Sequence, residues 1–246
     1  MIALIGGIGP AAGLNLARII TEEVKVERDQ DHLPWMLMNQ PSRIPDRTDF
    51  LLGKVKENPG DEIARQIITC ERAGCTVAGI ACNTAHAPEI IGRIREVLEK
   101  ENSRIMLVHA IDEMVKYVVD NLPEQAKIGI LSTTGSYLKR LHAGPLEMKG
   151  FEIIDIGLEN QEKLIHEAIY NPEWGIKHCA DPVGEEALQR LQTAIDYYRE
   201  KSAGAIVLAC SEISLVIDHL DYSGLKLIKP MTVLARALIR TETSSA

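Results

Sequence analysis

Two cysteines occur in matched sequence settings that suit them for moving protons. Cys82 follows the apolar run 76–81 and Cys210 follows the apolar run 205–209, with small polar residues directly after each cysteine. This pattern predicts a buried strand that ends at the cysteine and a helix that begins a few residues later. Exposed N–H groups at a helix start favour a thiolate, so each cysteine is a candidate acid or base.

A pair of polar turns recurs at nearly the same spacing, which indicates an internal duplication. Gly9 lies in a glycine-rich turn after the opening strand, and Gly135 ends the segment Ser-Thr-Thr-Gly after a later strand. These two glycines are 126 positions apart, and the two cysteines are 128 positions apart. A diverged βα repeat accounts for both offsets. We therefore expect two similar halves, each with one cysteine strand.

The composition excludes several classes of function. The chain of 246 residues carries a net charge of −8 and no long run of Lys or Arg, which disfavours nucleic acid and anionic membranes as partners. No apolar stretch approaches the length of a membrane span. The first residues form a predicted core strand rather than a secretory signal. These features predict a soluble, cytoplasmic protein.

The other cysteines give no sign of a disulfide framework or a zinc site. Five cysteines without a Cys-x-x-Cys pair argue against structural disulfides. Cys70 and Cys75 fit the pattern of small buried hydrophobic residues. Cys82 and His86 have the spacing of two ligands on one helix face, but too few further ligands lie nearby for zinc.

Strand and helix patterns alternate along the whole chain. This succession predicts an α/β fold with parallel sheets covered by helices on both faces. Two polar loops, 39–48 and 171–182, interrupt the alternation and contain prolines. Because open α/β sheets bind ligands at the carboxyl ends of their strands, both loops are candidates for function as well as ordinary surface connections.

The polar turns favour a small anion over a dinucleotide. Gly7, Gly9 and Gly13 resemble part of a dinucleotide fingerprint, but the second strand ends at 39–40 without the acidic residue that would bind ribose. A cysteine hydrolase would leave the second cysteine unexplained. Two opposed thiols instead suit inversion at a carbon acid, where one removes a proton and the other delivers one. Neutral donors near both cysteines would stabilise the developing charge.

Five segments together resemble the cofactor-independent aspartate/glutamate racemase family, and most closely its aspartate racemase branch. The resemblance runs from position 4 to about position 238 and rests on residues 6–10, 45–48, 81–86, 132–135 and 209–213. It implies two pseudo-symmetric three-layer αβα domains with mostly parallel sheets and an active site in the cleft between them. The implied domains are 1–109 joined by about 218–246, and 110–217.

The resemblance also implies an activity and its partners. The implied reaction interconverts L- and D-aspartate, with glutamate as a second acidic substrate, by proton transfer at Cα. It implies no pyridoxal phosphate, metal or other cofactor. The implied partner is a small acidic amino acid, and the implied assembly is a homodimer.

Carried over by position, the resemblance gives roles to individual residues. Cys82 and Cys210 become the two bases. Arg47 would hold the side-chain carboxylate of the substrate, because a guanidinium group can bind a carboxylate through two hydrogen bonds. Lys163 resembles a family lysine that approaches the substrate. The remaining substrate contacts, several of them to the α-carboxylate, would come from Gly9, Asn83, Thr84, Ser132, Thr133, Thr134 and Ser211.

Two departures from the family pattern leave the cysteine pair intact. The second motif reads Ala-Cys-Ser-Glu where Gly-Cys-Thr-Glu is commoner, which keeps a hydroxyl group. Lys229 stands where many relatives place an aspartate. The alternatives within the superfamily are a broad-specificity amino-acid racemase, a hydantoin racemase and a maleate isomerase, the last using a cysteine as nucleophile. A non-catalytic amino-acid-binding module is a further alternative, which two intact cysteines disfavour.

Overall fold

The computed structural model describes residues 1–179 and 182–244. The chain divides into two compact units, one formed by Met1–Glu113 with the chain from Met231 onward, and the other by Met114–Pro230. Residues 218–230, which the sequence groups with the first half, lie in the second unit. They do so because the strand within this segment pairs with a strand of the second unit.

The first unit is built around a four-stranded parallel sheet in the order β2-β1-β3-β4. Its strands are short, the two central ones are fully buried, and its longer helices carry apolar stripes. In chain order its elements are β1 (Ile2–Ile5), α1 (Pro10–Glu23), β2 (Trp35–Met38), α2 (Arg47–Leu51), α3 (Pro59–Arg72), β3 (Val77–Ile80), α4 (Pro88–Lys100) and β4 (Met106–Leu107), then α5 (Ala110–Asn121), which leads into the second unit.

The second unit repeats this arrangement with the sheet order β6-β5-β7-β8. Its elements are β5 (Lys127–Leu131), α6 (Thr134–Leu138), α7 (Ala143–Glu147), β6 (Glu152–Ile153), α8 (Leu158–Asn160), a π-helical segment (Gln161–His166), α9 (Glu167–Tyr170), α10 (Glu185–Glu200), β7 (Ala205–Leu208), α11 (Ile213–Val216) and β8 (Lys226–Ile228). A last helix, α12 (Pro230–Ser244), returns the chain to the first unit.

Alternate residues of the strands face helices on opposite sides of each sheet. In the first unit, Ile2 and Leu4 of β1 pack in a core cluster with α1 and α12. Helix α3 packs against β1 and β2, and α4 against α3. In the second unit, Ile206 and Leu208 of β7 share a core cluster with α9 and α10. This confirms the predicted α/β class with parallel sheets in two similar halves.

The structure also bears on the predictions made for Cys70, for Cys75 and for membrane spans. Cys70 and Cys75 are buried, as predicted for small hydrophobic residues, and burial raises the pKa of the Cys70 thiol to about 11. The described residues contain no helix that is both long and apolar enough to cross a membrane.

A close contact at Gly129 in β5 restricts what this strand accepts. A Cβ atom placed there would lie 2.5 Å from the ring of Tyr198, a fully buried side chain of α10 whose hydroxyl donates to the carbonyl oxygen of Ile130 at 2.9 Å. The ring therefore occupies the space that any larger residue would need.

We expect Gly129→Ala to lower the free energy of unfolding by about 1–3 kcal/mol, because overpacking forces the Tyr198 ring or the strand to move. Gly144→Ala is the control, since nothing lies within 4 Å of a Cβ atom at that position on α7. The control should change the stability by no more than about 1 kcal/mol. Chemical denaturation of both variants measures the difference, and equal stabilities would contradict this account.

Candidate active site

Three loops of the first unit meet at the carboxyl edge of its sheet. The N–H of Gly6 donates to the carbonyl oxygen of Met38 at 2.8 Å, which joins the turn after β1 to the end of β2. The N–H of Ala81 donates to the carbonyl oxygen of Ile5 at 2.9 Å, which joins the end of β3 to the same turn. This edge therefore carries the glycine turn, the loop after β2 and the first cysteine motif.

The glycine turn depends on the absence of side chains. Gly7 and Gly9 have φ angles of 73° and 109°, in the left-handed region that favours glycine. A Cβ atom on Gly7 would also lie 2.8 Å from the backbone nitrogen of Gln40. Gly9 precedes the 14-residue helix α1, which has Pro10 at its first position. The turn thus presents backbone N–H groups at a helix start, a setting that suits an anion.

Cys82 lies two positions after the end of β3, at the strand end that the sequence predicts. Its N–H donates to the carbonyl oxygen of Ile80 at 2.8 Å, and a short 3-10 turn at Thr84–His86 leads to α4. The next residue, Asn83, is only 1% exposed, and among the described residues neither its amide nitrogen nor its amide oxygen has a hydrogen-bond partner. An unsatisfied buried group costs about 1–3 kcal/mol, so Asn83 is suited to bind a polar ligand.

Arg47 places a buried cation at the same edge. It begins α2, and Asp46 caps that helix by accepting hydrogen bonds from the N–H groups of Thr48 and Asp49. The Arg47 side chain is 7% exposed, and its guanidinium group donates to the carbonyl oxygens of Pro45 at 3.1 Å and Ile8 at 3.3 Å. These bonds hold the positive charge against the glycine turn.

The polar turn of the second unit occupies the corresponding position after β5. Thr133 accepts a hydrogen bond from the N–H of Ser136 at 3.4 Å and caps α6. The buried Gln161 donates through its amide nitrogen to the carbonyl oxygen of Ser132 at 2.8 Å. The hydroxyl group of Thr134 is buried, and it has no hydrogen-bond partner within residues 1–179 and 182–244. Thr134 therefore offers a donor that a ligand would satisfy.

Cys210 follows β7 and belongs to a buried polar network. Its Sγ atom lies 3.1 Å from Oε2 of Glu212, which also accepts a hydrogen bond from the Ser211 hydroxyl at 3.0 Å. The other carboxylate oxygen of Glu212 lies 3.3 Å from Nζ of Lys177. A lysine from the loop after α9 thus neutralises a buried carboxylate that contacts the second thiol.

This network determines the charge of Cys210. Burial, and then the Glu212 carboxylate, raises the pKa of the Cys210 thiol well above its ordinary value, and the Lys177 ammonium offsets part of that rise. Burial alone would raise the pKa of Glu212 as well. The Lys177 charge and the hydrogen bonds from Cys210 and Ser211 outweigh it, so that pKa is lowered. Cys210 therefore rests as a thiol that donates to a carboxylate.

This state differs from the thiolate that a helix start favours. Helix α11, which follows Cys210, has only four residues, so its dipole is weak. Glu212 immediately precedes that helix and places a negative charge beside the sulfur atom. A like charge at this distance disfavours the ionised thiol.

The structure brings most of the predicted residues to two sheet edges, one in each unit. Lys163 is the exception, because its side chain is 66% exposed and its ammonium group pairs with Glu159 at 2.6 Å. The lysine that reaches a cysteine network is Lys177. The sequence analysis singled out the loop 171–182 but did not select Lys177 within it. Residues 180 and 181 of this loop lie outside the described residues. Glu212 stood within a quoted motif but received no role.

Comparisons with known proteins identify the family and the fold. The sequence profile of the family described as Asp/Glu/Hydantoin racemase matches residues 5–238. The aspartate racemase of Picrophilus torridus is 25% identical, with a TM-score of 0.78 over 98% of this chain and 94% of its own.

Two less similar structures share the fold. A glutamate racemase of Francisella tularensis, solved with D-glutamate, is 16% identical, with a TM-score of 0.67 over 99% of this chain and 81% of its own. The maleate isomerase of Pseudomonas putida is 11% identical, with a TM-score of 0.59 over 98% of this chain and 92% of its own. The family profile covers most of the described residues and both cysteine motifs. The chain therefore belongs to the Asp/Glu/Hydantoin racemase family.

Proposed function

We propose that this protein racemises an acidic amino acid, with aspartate as the preferred substrate, by means of Cys82 and Cys210. The observation that carries the proposal is the repeated placement of a cysteine two positions after β3 and after β7, in two units of the same strand order. Inversion at Cα needs one acid and one base on opposite faces of the carbon, and a pair of thiols supplies both.

The polar groups of each edge would bind the substrate. Asn83 and Thr134 have buried polar atoms without partners among the described residues, so each offers hydrogen bonds that a substrate could complete. Arg47 supports a second carboxylate, because its buried guanidinium group lies beside the glycine turn, where the Asp46 carboxylate is also 3.7 Å away. An acidic amino acid has both carboxylates.

In one direction of the proposed reaction, Cys82 takes the Cα proton and Cys210 starts as the thiol that donates to Glu212. The Cys210 thiol then gives its proton to the opposite face, and the electron pair of the S–H bond stays on sulfur. Lys177 supports the resulting thiolate, because it partly neutralises the adjacent Glu212. The reverse reaction exchanges these roles.

Other activities of the family use different substrates, and the likeness to the maleate isomerase is limited to the fold. A racemase for neutral amino acids would not need the buried cation Arg47. A maleate isomerase would form a covalent adduct at one cysteine, which a two-base racemase does not form.

Incubating the protein with L-aspartate in D₂O without added cofactor tests the proposal. We expect the D-aspartate formed early to carry deuterium at Cα while the remaining L-aspartate stays protiated, because separate bases serve the two faces. Chiral chromatography with mass spectrometry measures both pools. The absence of inversion and exchange with aspartate, glutamate and a panel of neutral amino acids would refute the proposal.

Single substitutions test the two-base assignment. Cys82→Ser and Cys210→Ser should each reduce racemisation by about 10²–10⁴-fold or more, because a hydroxyl group is a poor base at neutral pH. Cys179→Ser is the matched control, since Cys179 belongs to neither polar network described above, and should keep near-normal activity. Racemisation close to the unsubstituted rate in either Cys82→Ser or Cys210→Ser contradicts a mechanism with two thiols.

Glu212 and Lys177 should shift the titration of Cys210 in opposite directions. Glu212→Gln removes an anion and lowers the thiol pKa, so alkylation of Cys210 by iodoacetamide should become at least about tenfold faster at neutral pH. Lys177→Met removes a cation and should slow the alkylation, whereas Lys177→Arg keeps the charge. Peptide mapping over a pH series measures these rates, with Cys82 as the internal reference. An unchanged Cys210 profile in Glu212→Gln would rule out this electrostatic control.

A further inference from the structure

A small cavity lies inside the second unit, beside the polar turn after β5. It has a volume of about 50 Å³ and lies among α6, α7, the end of β5 and the chain after β6. The carbon surfaces of Ile130, Ala143 and Ile156 form much of its wall. The exposed side chains of Arg140 and Glu147 also line the cavity and pair with each other.

His142 contributes the unsatisfied polar group of this cavity. Its side chain lines the cavity and is 2% exposed, and within the described part of the chain neither ring nitrogen has a hydrogen-bond partner. A neutral imidazole carries one donor and one acceptor. An occupant that can donate or accept a hydrogen bond would therefore satisfy the ring nitrogen that it reaches.

The other polar side chains around the cavity mostly bond within the protein. The hydroxyl group of Tyr137 donates to Asp155 at 2.7 Å, and the hydroxyl group of Tyr198 donates to the carbonyl oxygen of Ile130 at 2.9 Å. The Asp155 carboxylate also accepts the N–H of Gly157 at 3.0 Å. The unmet hydrogen-bonding capacity is thus concentrated at His142.

The charges around the cavity select against an ionic occupant. Burial lowers the pKa of His142 to about 3, so its imidazole is neutral at neutral pH and offers an anion no countercharge. The Asp155 carboxylate lines the cavity and repels an anion, while the Arg140 charge is already paired with Glu147. The apolar wall penalises a cation through desolvation, and Asp155 already accepts two hydrogen bonds.

We propose that the His142 cavity binds a small neutral molecule, or the tip of a larger one, that carries a hydroxyl or carboxamide group. Such a group forms a hydrogen bond with a ring nitrogen of His142, as donor or acceptor according to the tautomer, while a methyl-sized part contacts the isoleucine wall. The volume suits a few ordered waters or a group of about four non-hydrogen atoms. Ser132 and Ser136 also line the cavity, so an occupant would contact the polar turn itself. Binding here does not depend on the racemase chemistry.

Acetamide and acetate form a matched pair of probes, because they have the same size and differ in charge. We expect acetamide to shift the side-chain ¹⁵N resonances of His142 saturably, with a dissociation constant on the order of millimolar. Acetate should leave them unchanged at the same ionic strength. The titration uses the full chain at neutral pH, with the other histidines as internal references.

Two variants test whether the shifts arise from binding in the cavity. Ala143→Leu fills the cavity and retains His142, so acetamide should no longer shift the His142 resonances. His142→Phe removes the polar group, and in that variant acetamide should no longer shift the backbone amides of Ser136 and Ala143. No saturable shift with acetamide would mean that water alone fills the cavity, and would overturn the proposal. Equal shifts with acetate, or shifts that persist in Ala143→Leu, would also overturn it.

Discussion

The site depends on one constraint in each sheet, which is the parallel pairing of β1 with β3 and of β5 with β7. Ile5 of β1 pairs with Ile80 of β3, and Leu131 of β5 pairs with Leu208 of β7. Because paired parallel strands end side by side, each cysteine motif is placed next to a polar turn of the same unit. A shift in either register would move the thiol away from that turn and would reverse the faces of the strand.

The two cysteine settings are alike in topology and different in electrostatics. The residue after Cys82 is Asn83, whose side-chain amide has no hydrogen-bond partner among the described residues. Cys210 instead contacts the carboxylate of Glu212, which Lys177 neutralises. Burying this carboxylate would be costly without Lys177, since a buried charge needs a partner. The two units thus share a scaffold, and in the second unit burial and the Glu212 carboxylate raise the pKa of the Cys210 thiol.

Much of the fold followed from local pattern, because a run of buried strand residues before a polar turn is a strong signal. The repeated spacing of cysteines and glycines predicted two similar halves, and the sheet orders confirm it. The pairing of β8 with β7 could not be predicted from local pattern, because strand pairing depends on contacts between residues far apart in sequence. The domain limits drawn from sequence therefore differ from the compact units at 218–230.

The site residues show the same division between local and long-range information. Lys163 lies two positions after Gln161, and residues two apart on a helix do not share a face. When Gln161 is buried against Ser132, Lys163 accordingly faces solvent. Lys177 lies in an irregular loop, and its contact with Glu212 spans 35 positions, so no periodic pattern reveals it.

The return of α12 to the first unit has a consequence for the order in which the protein is made. Leu234 and Leu238 of this helix pack in one cluster with Ile2 and Leu4 of the first strand. The first sheet therefore emerges from the ribosome long before one of its covering layers exists, whereas the second unit is continuous in sequence. During synthesis the second unit is therefore the first able to complete its core. The strands of the first sheet keep an apolar face uncovered until α12 has been made.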